Sequence, residues 1–209
     1  RAASLASCQR GGQPMRTAVV IGGSSGAGKT TTVRLLREVA KLDRQLANRL
    51  AFPRRFTTRA SRREEDLEES RPVSRADFQG MVRDGEIDVV WERPMPGAWD
   101  EPELYGFAAH QCPFAVLSAN NALLRNPRAV AAAYDAMHIV VVEAPATVRL
   151  KRLLARSPEM SEAEVRQRVL DEGLDVRSSA DVVISTRTDD FLSIASRALG
   201  AISRLIRRS

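Results

Sequence analysis

Residues 23–30 read Gly-Ser-Ser-Gly-Ala-Gly-Lys-Thr and follow directly on the apolar run Thr17-Ala18-Val19-Val20-Ile21. Every fixed position of the phosphate-binding pattern G-x-x-x-x-G-K-[ST] is met. A chain with this segment has to lead a buried strand into a glycine-rich turn and then into a helix. The glycines at 23, 26 and 28 let the backbone bend until several N–H groups face one anion, and the helix that follows adds its positive dipole end. A Gly/Ser turn can match such a pattern by accident, but an accident does not bring a strand before it and a helix over about 30–43 after it. The segment Gly23, Ser24, Ser25, Gly26, Ala27, Gly28, Lys29, Thr30, Thr31 is therefore expected to bind ATP. Lys29 would reach the β- and γ-phosphates, and Thr30 would hold Mg²⁺.

At 209 residues and 44% hydrophobic, the chain can bury one sizeable core, and a single α/β domain is the default. Its apolar runs at 18–21, 114–117, 139–142 and 182–184 are each too short to cross a bilayer. Cys8 and Cys112 have no C-x-x-C or histidine spacing, so neither a disulfide framework nor a zinc site is suggested, and a reducing cytoplasm fits. Residues 1–14 contain no acid and end Gly-Gly-Gln-Pro before Met15. They read as a disordered arm or as sequence upstream of the natural start, and they lack the apolar centre of a secretory signal.

The net charge is +6, and of the 32 basic residues only Lys29, Lys41 and Lys151 are lysines. That arginine excess invites a nucleic-acid reading. Arginine also suits bidentate binding of phosphate esters, however, and many of these arginines alternate with acids, as in Arg62-Arg63-Glu64-Glu65-Asp66. Aromatics are 5% of the chain and no basic stripe is interleaved with them, which disfavours a nucleic-acid surface. A small phosphorylated molecule is the expected partner, and a homodimer is compatible with the sequence.

The short apolar runs alternate with helical stretches, as in a parallel sheet covered on both faces. Strands are expected near 17–22, 49–56, 113–118, 138–143 and 181–185, with helices near 30–43, 121–136, 145–156, 161–175 and 188–207. The implied architecture is a three-layer α/β/α nucleotide-binding fold with a five-stranded parallel sheet over residues 15–209. Ser161-Glu162-Ala163-Glu164 has capping-box form, and Thr188 followed by two aspartates also marks a helix start. About fifty residues separate the second and third strands, far more than a crossover needs. That stretch, about 57–112, reads as an inserted subdomain: Phe78, Val89, Val90 and Trp91 offer a core, and Ser74 a helix start. A surface loop is the plainer alternative.

Thr57-Thr58-Arg59-Ala60-Ser61-Arg62-Arg63-Glu64-Glu65 resembles the T-T-R-x-x-R-x-x-E segment of guanylate kinases, and the order of parts agrees. The phosphate loop, the arginine segment, a Ser-x-x-x-Phe helix start at Ser74 and Phe78, Tyr105-Gly106 and a late arginine helix together cover nearly all of residues 16–207. The resemblance implies a P-loop kinase in which Arg59, Arg62 and Tyr105 hold the acceptor's phosphate. It also implies a lid, about 152–168, whose Arg152, Arg156 and Arg168 close over the transferring phosphoryl group. The glutamate that reads guanine in that family would fall at Val89, and the third strand ends Leu117-Ser118-Ala119-Asn120-Asn121 where aspartates are usual. In these places the chain is more similar to the ribose 1,5-bisphosphate phosphokinases of phosphonate metabolism, which make phosphoribosyl diphosphate.

Phosphoryl transfer needs positioning and charge neutralisation more than covalent chemistry. An acceptor that is itself a phosphate is already anionic, so no general base is required, and the second strand ends in Arg54-Arg55-Phe56-Thr57 rather than in a carboxylate. Glu65 or Glu68 of the acidic run could act as a base or bind ribose hydroxyls; a solvated charge run looks the same in sequence. Arg152 and Arg156 share a helix face, as they would on a merely exposed basic helix. Asn120 is a candidate for the shell around Mg²⁺, and His110 and His138 have no partner at a useful spacing. A guanylate-kinase-like module without turnover would work through protein contacts and would have no need of Lys29 and Thr30.

Overall fold

The structure is a computed structural model and describes residues 15–60, 70–94, 101–171, 177, 180–186 and 191–208. In chain order the elements begin with β1 Thr17–Gly22, α1 Lys29–Leu42, α2 Arg44–Arg49, β2 Leu50–Ala51, β3 Arg55–Thr57, β4 Ser70–Pro72 and α3 Arg75–Arg83. They continue with β5 Ile87–Arg93, β6 Glu103–Ala108, β7 Phe114–Ser118, α4 Asn121–Arg125, α5 Arg128–Ala131 and β8 Ala136–Glu143. The last are α6 Ala146–Arg156, α7 Glu162–Asp171, β9 Val182–Ser185 and α8 Phe191–Arg208.

All six residues of β1 are buried, as a central strand covered on both faces requires. It lies between β7 and β8, parallel to both, in a five-stranded sheet of order β2-β7-β1-β8-β9. The pairs β2 with β7 and β8 with β9 are parallel as well. Successive β1 side chains alternate between two cores. Val19 and Ile21 pack with Val33 and Leu36 of α1 and Ala198 and Ile202 of α8. Ala18 and Val20 face Leu123, Val130 and Tyr134, together with Val89, Trp91 and Phe107.

Those last three residues come from a second sheet, of order β4-β3-β6-β5, built by the stretch expected to be an insert. The expected strand 49–56 is in fact two strands in different sheets. Pro53 lies between them, lacks a backbone donor, and marks where the chain leaves β2 and the parallel sheet to enter β3. Ser74 caps α3, accepting from the Asp77 N–H at 3.1 Å. Phe78 of α3 is buried with Phe56, Ile87 and Leu104 in the insert's own core. Gly106 has to be glycine there, since a Cβ would stand 2.5 Å from Ile87 Cγ2.

The expected helix 121–136 is broken into α4 and α5, because Asn126 ends the first and Pro127 cannot continue it. The foreseen capping box at Ser161 is present. The Ser161 hydroxyl and N–H both donate to Glu164 Oε2 at 2.7 Å, and these hydrogen bonds hold the Glu164 carboxyl below its ordinary range. Helices α6 and α7 form a small satellite core through Leu153, Val165 and Val169. Among the described residues no helix is long and apolar enough to cross a membrane. The arm 1–14 and the acidic run from Glu64 to Glu69 lie outside the described residues.

Candidate active site

β1 delivers the chain at Gly23 into a turn that only glycine tolerates. Gly23 has φ 133° and a Cβ there would stand 2.0 Å from the Val142 carbonyl oxygen of β8. Gly28, at φ 98°, stands at the N-terminus of α1. The Lys29 ammonium folds back over the turn and donates to the carbonyls of Gly23 at 2.6 Å and Ser24 at 3.0 Å. Thr30 is exposed in the first turn of α1, which carries no acid, so the positive helix end is not offset locally. Ala27 is buried and Thr31 half-buried.

The back of the turn is held by side chains distant in sequence. The Thr186 hydroxyl lies 2.6 Å from the Ala27 carbonyl oxygen. Arg152 donates to the Gly26 carbonyl at 3.3 Å, to the Thr186 hydroxyl at 3.2 Å and to its carbonyl at 3.0 Å. Arg152 thus meets the turn through the Gly26 carbonyl oxygen and braces the loop from behind. Arg149, one helical turn earlier, donates from Nε to the Ser25 carbonyl at 3.0 Å and from Nη2 to the Val169 carbonyl of α7 at 3.4 Å. It lines a cavity of about 200 Å³ with Gly23, Ser24, Ala27, Glu143 and Arg177. The sequence carried one sign of Arg149, its place at i, i+3 and i+7 with Arg152 and Arg156. Arg156 is exposed at the C-terminal end of α6. Arg168 lies on α7, with its side chain outside the described residues, as is Arg62.

A second constellation sits on the insert. Arg59 follows β3, Arg93 ends β5, and Glu103 and Tyr105 are on β6. Tyr105 donates its hydroxyl to Glu103 Oε2 at 2.5 Å, Arg93 Nη1 lies 3.4 Å from the same oxygen, and Arg59 Nε is 3.6 Å from Oε1. The structure therefore brings the two described members of the expected acceptor set, Arg59 and Tyr105, onto one carboxylate. Neither Arg93 nor Glu103 was legible as part of it. Beside them lies a cavity of about 440 Å³ lined by Thr58, Ser74, Arg75 and Glu103 among others.

Trp91 stacks on Tyr105 at 5.5 Å between ring centroids, and its indole N–H donates to Asn120 Oδ1 at 2.9 Å. The same oxygen accepts from the Leu123 N–H at 3.0 Å and caps α4. Asn120, considered for the shell around Mg²⁺, is thus occupied in joining the insert to the parallel sheet. Val89 is fully buried in the core between them. A further link is Arg16 to Asp88 at 2.8 Å, with the Arg16 guanidinium 4.7 Å from the centre of the Tyr134 ring. His110 Nε2 lies 2.7 Å from the Tyr134 hydroxyl; burial first, and Arg16 second, push the imidazole pKa down. His138 faces Asp181 at 3.8 Å. Among the described residues no group of three or more His, Cys, Asp or Glu side chains is placed to hold a metal.

No protein-family model matches the chain, and no curated protein matches it. Solved structures do. A gluconokinase from Sinorhizobium meliloti 1021 is similar at 16% identity with a TM-score of 0.50, over 94% of this chain and 97% of that one. The TT1252 protein from Thermus thermophilus is similar at 18% identity with a TM-score of 0.48, over 93% and 98% of the two chains. The likeness is one of fold: a five-stranded, all-parallel sheet flanked by helices, with the glycine-rich turn at the end of its central strand.

Proposed function

We propose that this chain is an ATP-dependent small-molecule kinase whose acceptor is a phosphorylated compound, ribose 1,5-bisphosphate ahead of GMP. The observation that carries the reading is the loop itself: glycine backbone at positive φ, Lys29 folded over the turn, and Thr30 exposed where the helix begins. Backbone N–H groups and the α1 dipole would bind the phosphates of ATP, Lys29 would neutralise the β- and γ-oxygens, and Thr30 would take one coordination position of Mg²⁺, the rest coming from phosphate oxygens and water.

In the proposed step an oxygen of the acceptor's phosphate attacks the γ-phosphorus, the bond to the bridging β–γ oxygen breaks, and ADP leaves. The attacking oxygen is already anionic, so the step needs no proton acceptor. Cations are needed on both sides, because the transition state spreads charge over the equatorial oxygens. Arg59, Arg62 and Tyr105 would hold the acceptor, and Arg152, Arg156 and Arg168 would close over the transferring group. The preference against GMP rests on position 89, where a buried valine stands in place of a guanine-reading carboxylate.

The test is ADP release by the purified chain with Mg·ATP and a panel of ribose 1,5-bisphosphate, GMP, AMP, dGMP, ribose 5-phosphate and unphosphorylated sugars. Turnover on ribose 1,5-bisphosphate above GMP supports the reading. Turnover confined to unphosphorylated sugars overturns it.

A further inference from the structure

The insert gathers three donors around one carboxylate. Glu103 Oε1 faces Arg59, and Oε2 faces both Arg93 and the Tyr105 hydroxyl. Two guanidiniums and a phenol, converging from the turn after β3, the end of β5 and from β6, make a receptor for a compact multi-oxygen anion, because guanidinium forks match carboxylate and phosphate geometry alike. The receptor therefore carries its own anion. The Glu103 side chain is 14% exposed and that of Arg59 27%, so the pair sits partly withdrawn from water, where charge interactions exceed those of a surface pair.

We infer that Glu103 is a built-in counter-ion which an acceptor's phosphate must displace, and that it thereby sets the receptor's preference for dianionic phosphate monoesters. The inference rests on the phosphorylated-acceptor reading above and adds the element that decides which anions qualify. With Glu103 in place, its single negative charge already offsets part of the two guanidinium charges. A monoanion gains too little from the exchange to drive it, while a dianion brings a second charge. Glu103 has somewhere to go. It lines the cavity of about 440 Å³ together with Thr58, Ser74 and Arg75, so rotation into that space puts its carboxylate beside another guanidinium. Arg75 meanwhile is tied to the exposed Glu101 at 2.8 Å, a contact that water and salt exchange readily.

The experiment is calorimetric titration of the full chain with inorganic phosphate and with dimethyl phosphate, a monoanion, at pH 8. Saturating Mg²⁺ and a non-hydrolysable ATP analogue keep the phosphate loop filled. Wild type is expected to bind phosphate and not dimethyl phosphate. Glu103→Gln is expected to bind phosphate at least tenfold more tightly and to take dimethyl phosphate as well, while Arg59→Ala abolishes both heats. Glu103→Asn provides the same charge removal should the glutamine variant fail to fold. An unchanged or weaker phosphate affinity in the folded variant overturns the inference, and so does phosphate binding that survives Arg59→Ala. None of these readouts requires turnover. A chain silent on every acceptor would sink the kinase reading alone, and turnover with unaltered phosphate affinity in Glu103→Gln would sink the counter-ion alone.

Discussion

The glycine turn after β1 and the insert, the two anion sites of the proposed kinase, are made of different material. The turn is backbone at positive φ, with Lys29 folded over it onto the Gly23 and Ser24 carbonyls. The insert is side chain: Arg59, Arg93 and Tyr105 are brought together by strand pairing and held on Glu103. A backbone receptor has little choice of ligand and grips any phosphate. A side-chain receptor with its own counter-ion can discriminate. In a kinase that division suits a common donor and a particular acceptor.

The largest effect expected from breaking the comparison is at the loop. Lys29→Ala removes the donor on the transferring phosphates and should lower turnover by about 10²–10³-fold, as loss of one transition-state donor does, with the fold intact by circular dichroism. Next is Gly23→Ala, which places a Cβ 2.0 Å from the Val142 carbonyl oxygen at φ 133°. It should cost about 1–3 kcal/mol from backbone strain and more from the clash, read as a lower denaturation midpoint together with lost ATP binding. On the insert side, Arg59→Ala should raise the acceptor KM about tenfold or more while the KM for Mg·ATP stays within about twofold, the pattern of a contact made to one substrate only. Equal changes in both constants would erase the proposed division of labour.

Two smaller effects concern the join between the regions. Asn120→Ala removes the acceptor shared by the Trp91 indole and the Leu123 N–H, and should cost about 1–3 kcal/mol in chemical denaturation. Smallest is the titration of His110. Burial and Arg16 keep its imidazole neutral below the ordinary 6.5, so the unfolded chain takes up a proton first. Stability from this residue is complete above about pH 6.5 and declines as pH falls toward the depressed folded value. Denaturation midpoints at pH 8 and pH 5.5 measure the decline, and His110→Gln should reduce the difference.

What could be read from the chain follows the range of each interaction. The loop, the helix start at Ser74, the capping box at Ser161 and the alternating faces of β1 depend on residues a few positions apart, so the sequence displays them directly. The split of 49–56 between two sheets is signalled by Pro53, but the sheet that Arg55 joins is decided by Tyr105 and Phe107, fifty residues on. Glu103 was out of reach because its partners are Arg59, just after β3, and Arg93, at the end of β5, and a lone glutamate in a charged stretch has no local signature. Arg149 was shaded by its neighbours Arg152 and Arg156, which the family resemblance named first. Asn120 stands in the sequence as a candidate for the shell around Mg²⁺, but its oxygen is taken by a helix cap and an indole.

Phosphorus NMR of the product distinguishes a phosphate-oxygen nucleophile, the basis of the proposed reaction, from a sugar hydroxyl. After incubation of the chain with Mg·ATP and ribose 1,5-bisphosphate, the expected products are ADP and a sugar carrying new, mutually coupled phosphoanhydride resonances, absent with Lys29→Ala. A new phosphate monoester on a sugar hydroxyl, or ADP accompanied only by inorganic phosphate, would contradict it.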